Sequence, residues 1–138
     1  MALLVDNIFV NLPVKNLDKS IEFFREVGFD FNPQFTNENA TCMIVGKNIY
    51  VMLLVEDYFK TFTKKELANA QSNTEAIIAI SAESREQVDE LVNKALNAGG
   101  AYSNEKLDHG FMYGWSFQDL DGHLWEVMYM DPNVIEQA

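Results

Sequence analysis

The chain has 138 residues, 48% of them hydrophobic and 22% charged, which excludes two large domains and also a disordered polypeptide. Twenty-one acidic residues against 10 basic ones leave a formal charge of −11, so a nucleic-acid partner is excluded unless a local basic patch intervenes, and none is visible. Cys42 is the only cysteine, so no intrachain disulfide can form; with no signal-peptide pattern and no apolar run near the ~18 to 20 residues of a membrane span, a cytoplasmic protein without a membrane partner is expected.

Residues 7–14 alternate as a strand, with Ile8, Val10, Leu12 and Val14 on one side and Phe9, Asn11 and Pro13 on the other, and Pro13 places it at an edge or an end. Asn16 is suited to cap a helix in which Leu17, Ile21, Phe24 and Val27 recur at helical spacing, and Gly28 to stop it. Three strands follow, at about 29–35, 40–45 and 49–55. Thr63-Lys-Lys-Glu66 reads as a capping box that opens a short helix to about Ala70, and residues 71–74 form a polar connection.

The pattern then restarts. Residues 75–82 form a strand, and Ser84-Arg-Glu-Gln87 is a second capping box. Val88, Leu91, Val92, Ala95 and Leu96 make one apolar helix face that ends at Gly99-Gly100. Strands at about 101–105 and 111–118 lead through the turn Asp121-Gly122 into a last strand at 123–130. The fold class is therefore α+β, with two tandem βαβββ modules, 7–56 and 75–131, joined by a connector at 57–74. A module that cannot bury both faces of its own sheet implies that the two curl, as a curved mixed sheet, around a shared cavity.

Chemistry is concentrated in the last strand. Glu126 shares its face with Leu124, Met128 and Met130, and a carboxylate on an apolar face must be paired, metal-bound, neutralised or at a rim that reaches water. Asp119, Asp121 and Glu126 do not make an EF-hand loop, because too few residues separate Gly122 from Glu126, and Asp121 is a turn residue. His109 and His123 are the only histidines, the first in a loop and the second on the strand side opposite Glu126, so a histidine-rich zinc site is excluded. Gly110-Phe-Met-Tyr-Gly114 has the spacing of a flexible lid or a glycine-kinked strand. Cys42 lies in an apolar run and reads as a buried, inert thiol.

Val10-Asn-Leu-Pro-Val-Lys-Asn-Leu17, with Ser20 and Phe23-Phe24 before Gly28, and Phe117-Gln-Asp-Leu-Asp-Gly-His-Leu-Trp-Glu126 are the segments in which this chain resembles the vicinal oxygen chelate superfamily. That group contains glyoxalase I, bleomycin-resistance proteins, fosfomycin-resistance enzymes and extradiol dioxygenases. The resemblance covers nearly the whole chain and implies one domain over residues 1–138, a homodimer, and metal-ligand positions at Phe9, Met52, Ile77 and Glu126. Of these only Glu126 is a good donor for a hard cation; alone, or with Glu75 in a register shifted by two, it suits weak Mg²⁺ or Mn²⁺, whereas Ni²⁺ or Zn²⁺ favours imidazole.

The same alternation turns Asn11, Tyr50, Met52, Leu54, Ile77 and Met128 towards the cavity side, an apolar lining with few polar groups. Phe9, Asn11, Tyr50, Met52, Ile77 and Glu126 are the candidate ligand-binding residues, with Asn11, Tyr50 and Glu126 orienting a small organic molecule. In the enzymatic version, a lyase or isomerase like glyoxalase I, a metal polarises the substrate carbonyl and Glu126 is the catalytic proton carrier. The alternatives are a metal-free protein that sequesters its ligand, as resistance proteins do, and a non-catalytic interaction module.

Overall fold

In the computed structural model, which describes residues 1–133, the alternating segment Ile8–Val14 is strand β1. Asn16 then adopts an extended conformation, and its side chain accepts the Lys19 N–H at 3.1 Å, which starts helix α1 (Leu17–Val27). Gly28, at φ 127°, stops the helix, and its own N–H closes back on the Phe24 and Arg25 carbonyls. The chain continues through β2 (Asp30–Asn32), β3 (Ala40–Gly46) and β4 (Ile49–Val55).

These strands form one mixed sheet in the order β1-β4-β3-β2, with β1 and β4 parallel and the other pairs antiparallel. The βαβ crossover places α1 on one face, and Leu17, Phe23, Phe24 and Val27 of the helix and Val14, Met43, Val51 and Leu53 of the strands are buried. Each such side chain contributes about 1.5–3 kcal/mol on leaving water. Of the two placements Pro13 allowed, the sheet order gives the edge: Pro13 lies on the edge strand β1, where a missing N–H breaks no central ladder.

Two expected elements in this half differ. The strand expected at 29–35 ends at Asn32, because Pro33 opens a 3-10 turn (Pro33–Phe35) whose Gln34 N–H is accepted by the Asn32 side chain at 3.0 Å. The helix expected after Thr63 does not form. Helical turns come earlier, as α2 (Glu56–Phe59) and a 3-10 turn at Lys60–Phe62, and Thr63 Oγ1 accepts the Lys65 N–H at 3.1 Å, closing a local turn where a cap would have reached Glu66.

The second sheet contains β5 (Ile77–Ser81), β6 (Ala101–Tyr102), β7 (Leu107–Asp108), β8 (Met112–Gln118) and β9 (Leu124–Met130). Its order is β5-β9-β8-β6, with β7 also on β8, and β5 parallel to β9. Helix α3 (Arg85–Asn97) starts at the expected capping box: Ser84 Oγ accepts the Gln87 N–H at 3.0 Å, and Gln87 accepts the Glu83 N–H at 2.7 Å. Val88, Val92 and Ala95 are fully buried against β8 and β9, while Leu91 and Leu96 are half-buried. The strand expected at 101–105 stops at Tyr102, and β7 is an additional short strand.

The chain thus contains two mixed sheets of four and five strands, each with one helix on one face, in the repeated order the sequence implies. Two compact units divide at Leu67, Met1–Leu67 and Ala68–Ala138. Among the described residues no helix is long and apolar enough to cross a membrane.

Candidate functional site

Each sheet has a second face, turned away from its helix, and strand register decides what stands on it. In the first unit Phe9 pairs with Tyr50, Asn11 with Met52, and Met52 with Cys42, so these side chains share one surface. Phe9 is 56% exposed and its ring stacks on Tyr50 at 5.0 Å with 16° between the planes. The Tyr50 hydroxyl donates to the Lys47 carbonyl at 3.4 Å, so its remaining capacity towards a ligand is as an acceptor. Leu54, expected on the same surface, is 3% exposed and belongs to the core. Cys42 is buried, and that burial pushes its thiol above the ordinary value, which keeps it protonated and inert.

In the second unit Glu126 of β9 lies between Ala79 of β5 and Ser116 of β8. Leu124 and Met128 flank it along the strand, and Ile77 pairs with Leu124. The face is apolar apart from Glu126 and the small or amide groups of Ser81, Ser116 and Gln118. Glu126 is half-buried, and among the described residues no hydrogen bond or ion pair reaches its carboxylate. Trp125 and Val127 point the other way and are fully buried under α3.

Two further residues on this face take their roles from register and packing, and of these only Ser116 escaped the sequence reading. Ser116 becomes the direct neighbour of Glu126 only through the β8–β9 register. Gly114 leaves room for Met128: a Cβ there would collide with the Met128 sulfur, so the thioether lies flat on β8. The glycine spacing 110–114 therefore resolves into a loop glycine, Gly110, at φ 81°, and a strand glycine that admits a close side chain.

The turn that sets this register depends on Asp119, which is 4% exposed. Its Oδ1 accepts the N–H groups of Asp121 and His123 at 3.0 Å each, and its Oδ2 accepts the Trp125 indole N–H at 3.0 Å. Burial pushes the Asp119 carboxyl up, against the opposing pull of His123 and these donors. Asp121 is a turn residue, as expected, but the organising acid is Asp119. Nothing in the D-x-D-G spelling distinguishes the two; the signal is the indole two strand positions after His123 that needs an acceptor.

A second polar cluster lies on the helical side. Arg85 donates to both oxygens of Asp108 at 2.8 and 2.9 Å and to the Gly110 carbonyl at 2.8 Å, and stacks over Tyr113. The Tyr113 hydroxyl donates to Asp89 at 2.6 Å, and Lys106 pairs with Asp89 at 3.4 Å while covering Trp115. Each member has its partner, so the cluster fastens the 106–112 segment to α3. The exposed His109 lies in that segment.

Of the four positions at which the resemblance implies metal ligands, Phe9 and Ile77 offer no donor atom and Met52 only a thioether. Glu75, the donor of the shifted register, precedes β5 and is exposed. Among the described residues no three His, Cys, Asp or Glu side chains come together as a metal site. This donor set does not fit a catalytic divalent metal.

Residues 8–127 match the family described as the Glyoxalase/Bleomycin resistance protein/Dioxygenase superfamily. Among solved structures, a hypothetical protein from S. aureus is 30% identical over 91% of this chain and 94% of its own, with a TM-score of 0.77. A glyoxalase/bleomycin resistance protein/dioxygenase family enzyme from Burkholderia phytofirmans PsJN is 14% identical, covering 88% of this chain and 96% of its own, at a TM-score of 0.73. A genomically encoded fosfomycin resistance protein from Listeria monocytogenes, 18% identical over 95% of this chain and 98% of its own, has a TM-score of 0.68. The last two likenesses are of fold alone. No curated protein matches the sequence.

Proposed function

The chain belongs to the glyoxalase/bleomycin resistance protein/dioxygenase superfamily, and from that premise we propose that it binds a small organic molecule on the sheet face that carries Glu126. The observation that supports this most directly is the Glu126 carboxylate, half-buried among Leu124, Met128, Ala79 and Ser116 and without a protein partner among the described residues. A charge in such surroundings is costly until something compensates it, and an apolar surface with one or two polar groups is the usual composition of a ligand site. Glu126 orients the ligand, and Ile77 lies beside it. Phe9, Asn11, Tyr50 and Met52 are proposed ligand contacts on the corresponding face of the first unit.

With a donor set that does not fit a catalytic metal, sequestration is the version of this function that the residues favour over lyase or isomerase chemistry. A cytoplasmic homodimer acting as one glyoxalase-type domain over residues 1–138 is part of the same proposal; residues 134–138 lie outside the described residues. The test is a thermal-shift screen of small organic compounds against wild type and Glu126→Gln. At least one compound is expected to raise the wild-type midpoint and to lose most of that effect in the variant. A binding profile that Glu126→Gln leaves unchanged sinks the assignment.

A further inference from the structure

None of the 10 Lys and Arg residues lies in any of the nine strands formed by the described residues, so neither sheet presents a positive charge from its own ladder. In the second unit the three basic residues are all engaged with acids on or beside α3: Arg85 with Asp108, Lys94 with Glu90, and Lys106 with Asp89. Among the described strand residues of the second sheet, the face opposite α3 carries one formal charge, that of Glu126. Around it stand surfaces that accept a cation with little loss, namely the Ser116 hydroxyl opposite, 7% exposed, and the polarisable Met128 thioether lying flat over Gly114.

Three ligand classes differ sharply against such a face. An anion would place a second negative charge beside Glu126 in a partly desolvated site, while the three basic residues of the second unit are held by acids on or beside α3. A neutral molecule can replace water's hydrogen bonds with its own donors but brings no charge to pair with the carboxylate. A cation both pairs with Glu126 and restores the hydrogen bonds that water made.

We propose that this face selects organic cations: small primary amines with an apolar or aromatic body. The ammonium donates to the Glu126 carboxylate and the Ser116 hydroxyl, and the body lies on Leu124, Ile77 and Met128. This rests on the reading that the Glu126 face binds a small molecule, and it specifies the charge of that molecule.

Three ligands of one skeleton separate the possibilities: 1-naphthylmethylamine, 1-naphthalenemethanol and 1-naphthoate, titrated by calorimetry and by ligand-observed NMR at neutral pH. The expected order is amine tightest, alcohol next and carboxylate weakest, with the amine at least ~10-fold ahead of the alcohol, or about 1.4 kcal/mol. In Glu126→Gln the amine should fall to the level of the alcohol while the alcohol itself is retained. Glu83→Gln, which removes the same charge from the same unit elsewhere, should leave the order intact. Equal binding of alcohol and amine, or tighter binding of the carboxylate, overturns the cation proposal and leaves the small-molecule reading standing. Equal loss of amine binding in Glu83→Gln and Glu126→Gln overturns the Glu126 assignment in favour of a diffuse field. No saturable binding of any of the three overturns the ligand reading together with its charge.

Discussion

Asp119 and Asp108 are both acids near the ends of strands, yet their surroundings give them opposite behaviour. Asp119 is buried and satisfies three N–H donors, including the Trp125 indole. Asp119→Ala removes every acceptor at once and leaves those donors buried, so a loss of about 3–5 kcal/mol in urea unfolding is expected. Asp119→Asn keeps one oxygen and should cost less, with the deficit reduced when Trp125→Phe removes the competing indole N–H. Asp108 is exposed, and the Arg85 guanidinium, helped by the Gly110 N–H, holds its carboxyl down from 3.8 to about 2. Its folded value lies below the unfolded one. The associated stability is therefore complete above the ordinary carboxylate range and is lost as pH falls from about 4 through about 2. Arg85→Met should flatten that part of the profile of thermal midpoint against pH, and an unchanged profile would refute the assignment.

At the scale of elements, the β8–β9 hairpin is where side chains on the Glu126 face are put into register. Gly122 sits in its turn at φ 91°, and a Cβ there would approach the Ala70 carbonyl oxygen to 2.8 Å, a backbone atom that has little freedom to yield. Gly122→Ala therefore combines left-handed strain of about 1–2 kcal/mol with a clash, and should destabilise by more than the strain alone in denaturant titration. Gly114→Ala collides with the flexible end of Met128 and meets the Val127 carbonyl oxygen only at ordinary contact distance, 3.4 Å, so the thioether moves and the cost stays at about 1–3 kcal/mol. The double variant Gly114→Ala/Met128→Ala should recover part of it, since the pair occupies one space. Helix starts were legible because a cap is a local device: Asn16 and Ser84 accept from the residue three positions on, as their spelling implies. Thr63 has the same spelling, but its hydroxyl is used two residues on, in a turn, and no apolar helical face follows to reward a helix.

For the whole chain, the division at Leu67 separates a nearly balanced first unit from an acidic second one. Seven basic and nine acidic residues up to Leu67 give −2, and three against twelve from Ala68 onward give −9. Self-repulsion in the second unit is the expected consequence, so raising salt from about 20 mM to about 500 mM should raise the thermal midpoint by screening it. A midpoint that falls with salt would mean that the ion pairs of α3 outweigh the repulsion.

By itself, the amino-acid order determined the two βαβββ repeats, their helix starts and the side of β9 on which Glu126 stands. Each of these depends on local periodicity or on a cap within a few residues, which the chain spells directly. Tertiary structure alone decided that Ser116 faces Glu126, that Met128 lies over Gly114, that Asp119 organises the turn, and that Arg85 and Lys106 are spent on acids of the α3 side. These pairings join residues from different elements, and their geometry follows from strand register and packing, which no single segment carries.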